Sequence, residues 1–172
     1  MAMVEVLRND IRETPSDEVR PATLDELEDV MALCRALHQE IGIFTLDEGL
    51  VRRRMELAIR GQEGTLGVIG RYREIKAMMY LVLSQYWYTR EPHVAEMFSY
   101  VMPKFRHSSN AKTLIEWAKL TADGLGMRLF IGVVSTERTQ AKMRLYRRQL
   151  GEPVGGFFIY GKTRTLTNGT EH

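Results

Sequence analysis

Apolar positions repeat along this chain with two periods, and each change of period marks a new element. Residues 19–22 read as a short strand. From Thr23 to Gly42 the period is helical: Leu24, Leu27, Val30, Met31, Cys34, Leu37 and His38 fall on one face. Thr23 and Glu26 have the spacing of a capping box. A second such pair, Thr45 and Glu48, predicts another helix, with Leu50, Val51, Met55, Ala58 and Ile59 turned inward and Gly61 to Gly64 closing it. The period then shortens to that of strands. Residues 65–71 and 75–88 read as an antiparallel hairpin across the link Tyr72-Arg73-Glu74. Residues 94–101 predict a further strand, with Val94, Glu96, Phe98 and Tyr100 on one side and Ala95, Met97, Ser99 and Val101 on the other. The clearest helix is 111–125, where Ala111, Leu114, Ile115, Ala118, Ala122 and Leu125 form a core-facing stripe. A buried strand at 127–134 follows. Ser135 or Thr136 then caps a last helix carrying Thr139, Met143, Tyr146 and Leu150, and 157–160 predicts a final strand.

The predicted order is β-α-α-β-β-β-α-β-α-β. It implies an α/β (α+β) fold with a mixed, mostly antiparallel central sheet and helices on both faces. The strand-helix-strand unit near 94–134 should lay two strands parallel and place the loop between Pro103 and Ala111 at a strand's carboxyl end. That loop holds Lys104, Arg106 and His107, then Ser108, Ser109 and Asn110, with Lys112 just inside the helix. Unpaired backbone N–H groups and a partial positive charge at a helix start suit a phosphate. A capped helix start with no ligand is the plainer reading of the same residues. Residues 1–18 read as an N-terminal arm or extra strand, 19–162 as one domain and 163–172 as a polar tail.

Composition narrows the function without naming it. The 172 residues are 44% hydrophobic and 27% charged, with a net charge of +2, too mild to argue for nucleic acid. The lone cysteine, Cys34, excludes an intramolecular disulfide, points to a reducing compartment and reads as a buried hydrophobe. No apolar run reaches the roughly 20 residues of a membrane helix, and the start lacks a signal peptide's pattern, so a cytoplasmic setting is expected. Arg52, Arg53, Arg54 and Arg60 read as a solvated helix face. The four histidines show no metal-ligand spacing, so no metal is expected. No nucleophile elbow, Walker loop or dinucleotide glycine pattern appears.

The element order and the segment from Tyr100 to Ile115 resemble the GNAT superfamily of acyl-CoA-dependent N-acetyltransferases. Tyr100-Val101-Met102-Pro103 matches the family's strand end. Arg106 and Ala111 match the ends of its Arg/Gln-x-x-Gly-x-Gly/Ala pattern, with Ser109 in the place of a glycine. Thr139 stands where the family has asparagine. Leu145-Tyr146 and Leu150-Gly151 echo its later Leu-Tyr and Leu-Gly, with one extra residue before Gly151. The form Arg-His-Ser-Ser-Asn-Ala-Lys is similar to divergent members from tailed-phage and prophage genomes, which would set the chain in a bacterial or phage-infected host cytoplasm.

The resemblance implies acetyl transfer from acetyl-CoA to a primary amine of a small molecule or peptide by direct attack. It assigns the cofactor site to Tyr100, Val101, Met102, Arg106, His107, Ser108, Ser109, Asn110, Ala111, Lys112 and Thr139. It makes Tyr146 the general acid, with Glu96 as general base. It also implies that pantetheine lies between 98–101 and 131–134, and it leaves a homodimer open. Ser109 and Thr139 also admit a non-catalytic GNAT-like module that binds protein or nucleic acid through its arginines.

Overall fold

The long hairpin at the middle of the chain is the spine of the sheet. The structure, a computed structural model, describes residues 17–135 and 138–161. β1 (Val19–Pro21) pairs antiparallel with β2 (Thr65–Arg71), β2 with β3 (Glu74–Gln85), and β3 with β4 (Pro92–Val101). β5 (Leu129–Phe130) then adds parallel to β4. The resulting order, β1-β2-β3-β4-β5, is the mostly antiparallel mixed sheet that the sequence predicts.

Alternation along β3 explains why helices cover both faces. Met78 and Tyr80 point to one side, against Val30, Met31 and Leu37 of α1 (Leu27–Ile41) and Met55 and Ala58 of α2 (Glu48–Ile59). Ala77, Met79 and Leu81 point to the other, against Leu114, Ile115, Ala118 and Ala122 of α3 (Asn110–Gly124). Leu145 and Tyr146 of α4 (Thr139–Leu150) extend that second layer. Cys34 is buried in the first layer, and burial pushes its thiol up to about 12, so it is a packing residue and no nucleophile.

Several expectations are corrected. Asp47, not Thr45, caps α2: its carboxylate accepts the Leu50 N–H at 2.9 Å, because Asp47 is the residue that keeps extended backbone before the first turn. β3 stops at Gln85, so Tyr86, Trp87 and Tyr88 lie in the turn beyond it. β5 covers two residues of the eight expected. Residues 157–160 form no strand; the edge that would receive them, β5, is too short to offer a ladder, and Phe157, Phe158, Ile159 and Tyr160 are exposed. The expectations for residues 1–16, Thr136 and 162–172 lie outside the described residues.

The hairpin turn needs unusual backbone. Gly70 in β2 sits opposite a bulge in β3, where Lys76 is the extra residue; its φ is +126, and a Cβ there would meet the Glu74 carbonyl oxygen at 2.2 Å. Backbone cannot yield as a flexible side chain can. Gly70→Ala should therefore cost about 1–3 kcal/mol of stability, read as a lower denaturant midpoint at unchanged slope.

Candidate active site

A second bulge shapes the site. Tyr80 pairs with Phe98 but Leu81 pairs with Glu96, so Met97 is the extra residue in β4. One added residue inverts the alternation beyond it. Glu96 and Ser99 therefore share the face that α3 and α4 cover, while Phe98 and Tyr100 turn to α1. The simple alternation predicted from the sequence, which put Glu96 with Phe98 and Tyr100, is overturned by this bulge. Met97 itself is exposed.

The bulge coincides with a parting of strands. β4 and β5 are paired only at Val94–Leu129 and Ala95–Phe130; beyond that, 96–101 and 131–135 share no ladder. The Met102 N–H donates to Lys76 O on the β3 side, so by alternation the backbone groups of Ser99 and Val101 point into the gap. A cavity of about 330 Å³ opens there. Ser99, Tyr100 and Val101 line it from β4, Ala111 and Lys112 from the start of α3, and Lys142 and Tyr146 from α4. Leu37, Glu40 and Ile41 at the end of α1 form the opposite wall.

The structure brings together the two residues expected to handle protons: Tyr146, which lines the cavity, and Glu96, which does not but touches the Tyr146 hydroxyl. The Tyr146 hydroxyl lies 3.2 Å from Ser99 Oγ and donates to Glu96 Oε1 at 3.4 Å. Burial raises the Glu96 pKa above the ordinary carboxylate range; Ser99, the Lys142 charge, the Gly132 backbone and Tyr146 offset only part of this. Burial, reinforced by the Glu96 charge, pushes Tyr146 well above the usual tyrosine value, so it holds its proton.

The loop before α3 is tied down from within. Arg106 Nε donates to Val101 O at 2.9 Å, and its Nη2 pairs with Glu40, which also accepts from the Tyr100 hydroxyl at 3.3 Å. The guanidinium thus links the strand end to α1. Ser108 Oγ donates to Phe105 O at 2.5 Å and accepts the Asn110 N–H at 3.2 Å. Asn110 is buried, whereas His107, Ser108 and Ser109 are exposed. Ser109 is the N-cap residue of α3. Thr139 Oγ1 donates to Ser135 O at 2.5 Å and caps nothing in the cavity.

Of the residues expected at the cofactor site, Tyr100, Val101, Arg106, Ser108, Ala111 and Lys112 line the cavity. Met102, His107, Ser109, Asn110 and Thr139 do not line it, and the Tyr86–Tyr88 aromatics lie elsewhere. Sequence reasoning missed Glu40 and Lys142. Each lies on a helix among many charged residues, and nothing local separates an inward carboxylate or amine from a solvated one.

No protein-family model matches the sequence, and no curated protein matches it. Solved structures do. An aminoglycoside 6'-N-acetyltransferase, AAC(6')-Ig of Acinetobacter haemolyticus, superposes with a TM-score of 0.65 at 15% identity, over 84% of this chain and 97% of that one. A possible acetyltransferase of Clostridium difficile 630 gives 0.65 at 16%, over 84% and 97%. The aminoglycoside acetyltransferase AAC(6')-Iy, in complex with CoA, gives 0.65 at 16%, over 84% and 93%. The chain therefore has the GNAT fold. Among the described residues, no helix is long and apolar enough to cross a membrane.

Proposed function

We propose that this chain is an acetyl-CoA-dependent N-acetyltransferase that acts by direct attack of a primary amine. The observation that carries the reading is that Ser99 and Tyr146 line a cavity formed where β4 and β5 part, with Glu96, which does not line it, in contact with the Tyr146 hydroxyl.

The residues present fit CoA. The backbone groups of Ser99 and the Val101 N–H face the gap and can take the amides of a pantetheine arm as a further strand would, while Val101 O is held by Arg106 Nε. The N–H groups of Ala111 and Lys112, in the first turn of a 15-residue helix, can take a pyrophosphate. Lys112, Arg138 and Arg148 add positive charge around the cavity. Bound there, CoA supplies an acyl thioester. Arg106 serves this site by holding the loop to β4 and α1 rather than by reaching phosphate. The amine, of a small molecule or a peptide, enters from the wall formed by Leu37, Glu40 and Ile41. A cytoplasmic setting accords with the thioester requirement.

Glu96, as carboxylate, takes the proton that the amine must lose. Tyr146 donates to the sulfur side. Among the similar structures, AAC(6')-Iy has been solved with a bisubstrate analogue, CoA-S-monomethyl-acetylneamine, which supports one cleft holding both partners.

Calorimetry with CoA and acetyl-CoA tests the reading, and binding is expected. Ser109 does not line the cavity, but it is the N-cap of α3, and Ser109→Asp puts a carboxylate at the helix start whose Ala111 and Lys112 N–H groups are to take the anion. It should abolish CoA binding, because apposed like charges cost on the order of several kcal/mol. The fold should persist, since an acid at a helix N-terminus is favourable. Unchanged affinity in the variant would move the phosphate site away from α3.

A further inference from the structure

The cavity wall holds a nucleophile that the reaction above leaves unused. Lys142 lies on α4 one helical turn before Tyr146, so their side chains share a face. Both line the cavity with Ser99, Tyr100 and Val101, the strand end where the thioester arm would lie. The acidic groups that face Lys142 are Glu96 on β4 and Glu40 on α1; the basic ones are Arg106 in the loop and Arg138 at the start of α4. Those carboxylates already have partners, since Glu40 is paired with Arg106 and Glu96 accepts the Tyr146 hydroxyl. Burial lowers the Lys142 pKa from the ordinary lysine range, and the two carboxylates restore only part of it. Lys142 therefore carries a larger neutral fraction than a solvated lysine.

We propose that Lys142 is a self-acetylation site, its Nζ taking the acetyl group from acetyl-CoA bound in the cavity when no external amine is present. The inference rests on the acetyltransferase reading. The neutral amine attacks the thioester carbonyl carbon, a C–N bond forms and the C–S bond breaks. The amine proton passes to Glu96, the thiolate gains a proton from Tyr146, and Glu96 returns its proton to the tyrosine oxygen across their contact. The products are an acetyl-lysine and free CoA thiol. The modified side chain has lost the charge that faces Glu96 and Glu40, and it is longer by an acetyl group inside the cavity. Lys112 also borders the cavity but is exposed, and it sits at the start of α3, where it would face the phosphate rather than the thioester.

The test incubates the full chain with acetyl-CoA and no acceptor at neutral pH, with intact mass and peptide mapping as readouts. A single acetyl group on Lys142 is expected, suppressed by excess CoA and lost completely in Lys142→Arg. Binding of acetyl-CoA by calorimetry without modification of Lys142 overturns the inference alone. So does a label spread over Lys104 and Lys112 that persists in Lys142→Arg. Absence of acetyl-CoA binding overturns both the inference and the acetyltransferase reading.

Discussion

Tyr146→Phe is expected to lower kcat by about 10²–10⁴-fold, the usual worth of a positioned proton donor, with CoA affinity unchanged. The hydroxyl is the only atom removed. It lies 3.2 Å from Ser99 Oγ and 3.4 Å from Glu96 Oε1. Its raised pKa keeps it a donor at every working pH, but it also makes full transfer to a thiolate uphill, since a free thiol titrates near ~8.5. The contact with Glu96 eases this in part. The Glu96 charge is one cause of the rise, after burial. In the proposed mechanism, that charge is gone once Glu96 has taken the amine's proton, and Tyr146 becomes a stronger acid than it is beside the carboxylate, although burial still holds its pKa up.

A pH profile carries the same argument. Burial holds Glu96 above the usual carboxylate range, so its basic form, and with it kcat/KM, appears only above that raised pKa. The Tyr146 hydrogen bond lowers the Glu96 pKa, so the Phe variant should shift the acid limb to higher pH. Stability should change by only about 1 kcal/mol, the net worth of one hydrogen bond. Full kcat in the variant, with chemistry shown to be rate-limiting, would make Tyr146 a packing aromatic.

The candidate site was legible in the sequence in its parts more than in its geometry. Alternation and turn residues located the hairpin, the parallel crossover and the loop before α3, because each is written in local spacing. The bulge at Met97 was not legible. Inserting one residue leaves the alternating pattern of 94–101 intact on paper, and only pairing with β3 shows that Glu96 turns to Ser99 and α4. The strand expected at 157–160 failed for a related reason. Its residues have strand propensity, but a strand needs an edge, and β5 stops at Phe130. Arg20 and Glu26 were hidden too: Glu26 has the spacing of a capping residue, while its burial depends on β2 and β3.

Glu26→Ala should cost about 3–5 kcal/mol of stability, because it leaves a buried guanidinium uncompensated. Glu26 is 0% exposed and Arg20 3%. Arg20 Nη1 and Nη2 donate to the two carboxylate oxygens at 2.8 and 2.6 Å, while Nε donates to Gly70 O at 2.9 Å and Nη2 to Arg71 O at 3.0 Å. Glu26 also accepts the N–H and hydroxyl of Thr23, each at 3.1 Å, and the Arg73 N–H at 3.0 Å. The pair thus fastens β1 and the entry to α1 onto the β2–β3 turn. Burial alone would raise the Glu26 pKa, but hydrogen bonds from Arg20, Arg73 and Thr23 and the Arg20 charge outweigh it and hold the carboxyl below its ordinary value of 4.5. A depressed folded-state pKa contributes stability that is complete above the unfolded value and lost as pH falls through the folded one. The gap between wild type and Glu26→Ala in denaturant midpoint should therefore be full at neutral pH and shrink below the unfolded-state pKa. Arg20→Met with Glu26→Leu removes both charges and should recover the part of the loss that comes from the uncompensated guanidinium. The recovery is partial, because the Gly70 and Arg71 carbonyls and the Thr23 and Arg73 N–H groups lose these partners. If the double variant is no more stable than Glu26→Ala, the hydrogen bonds to Gly70, Arg71 and Arg73 hold the turn, and the ion pair does not.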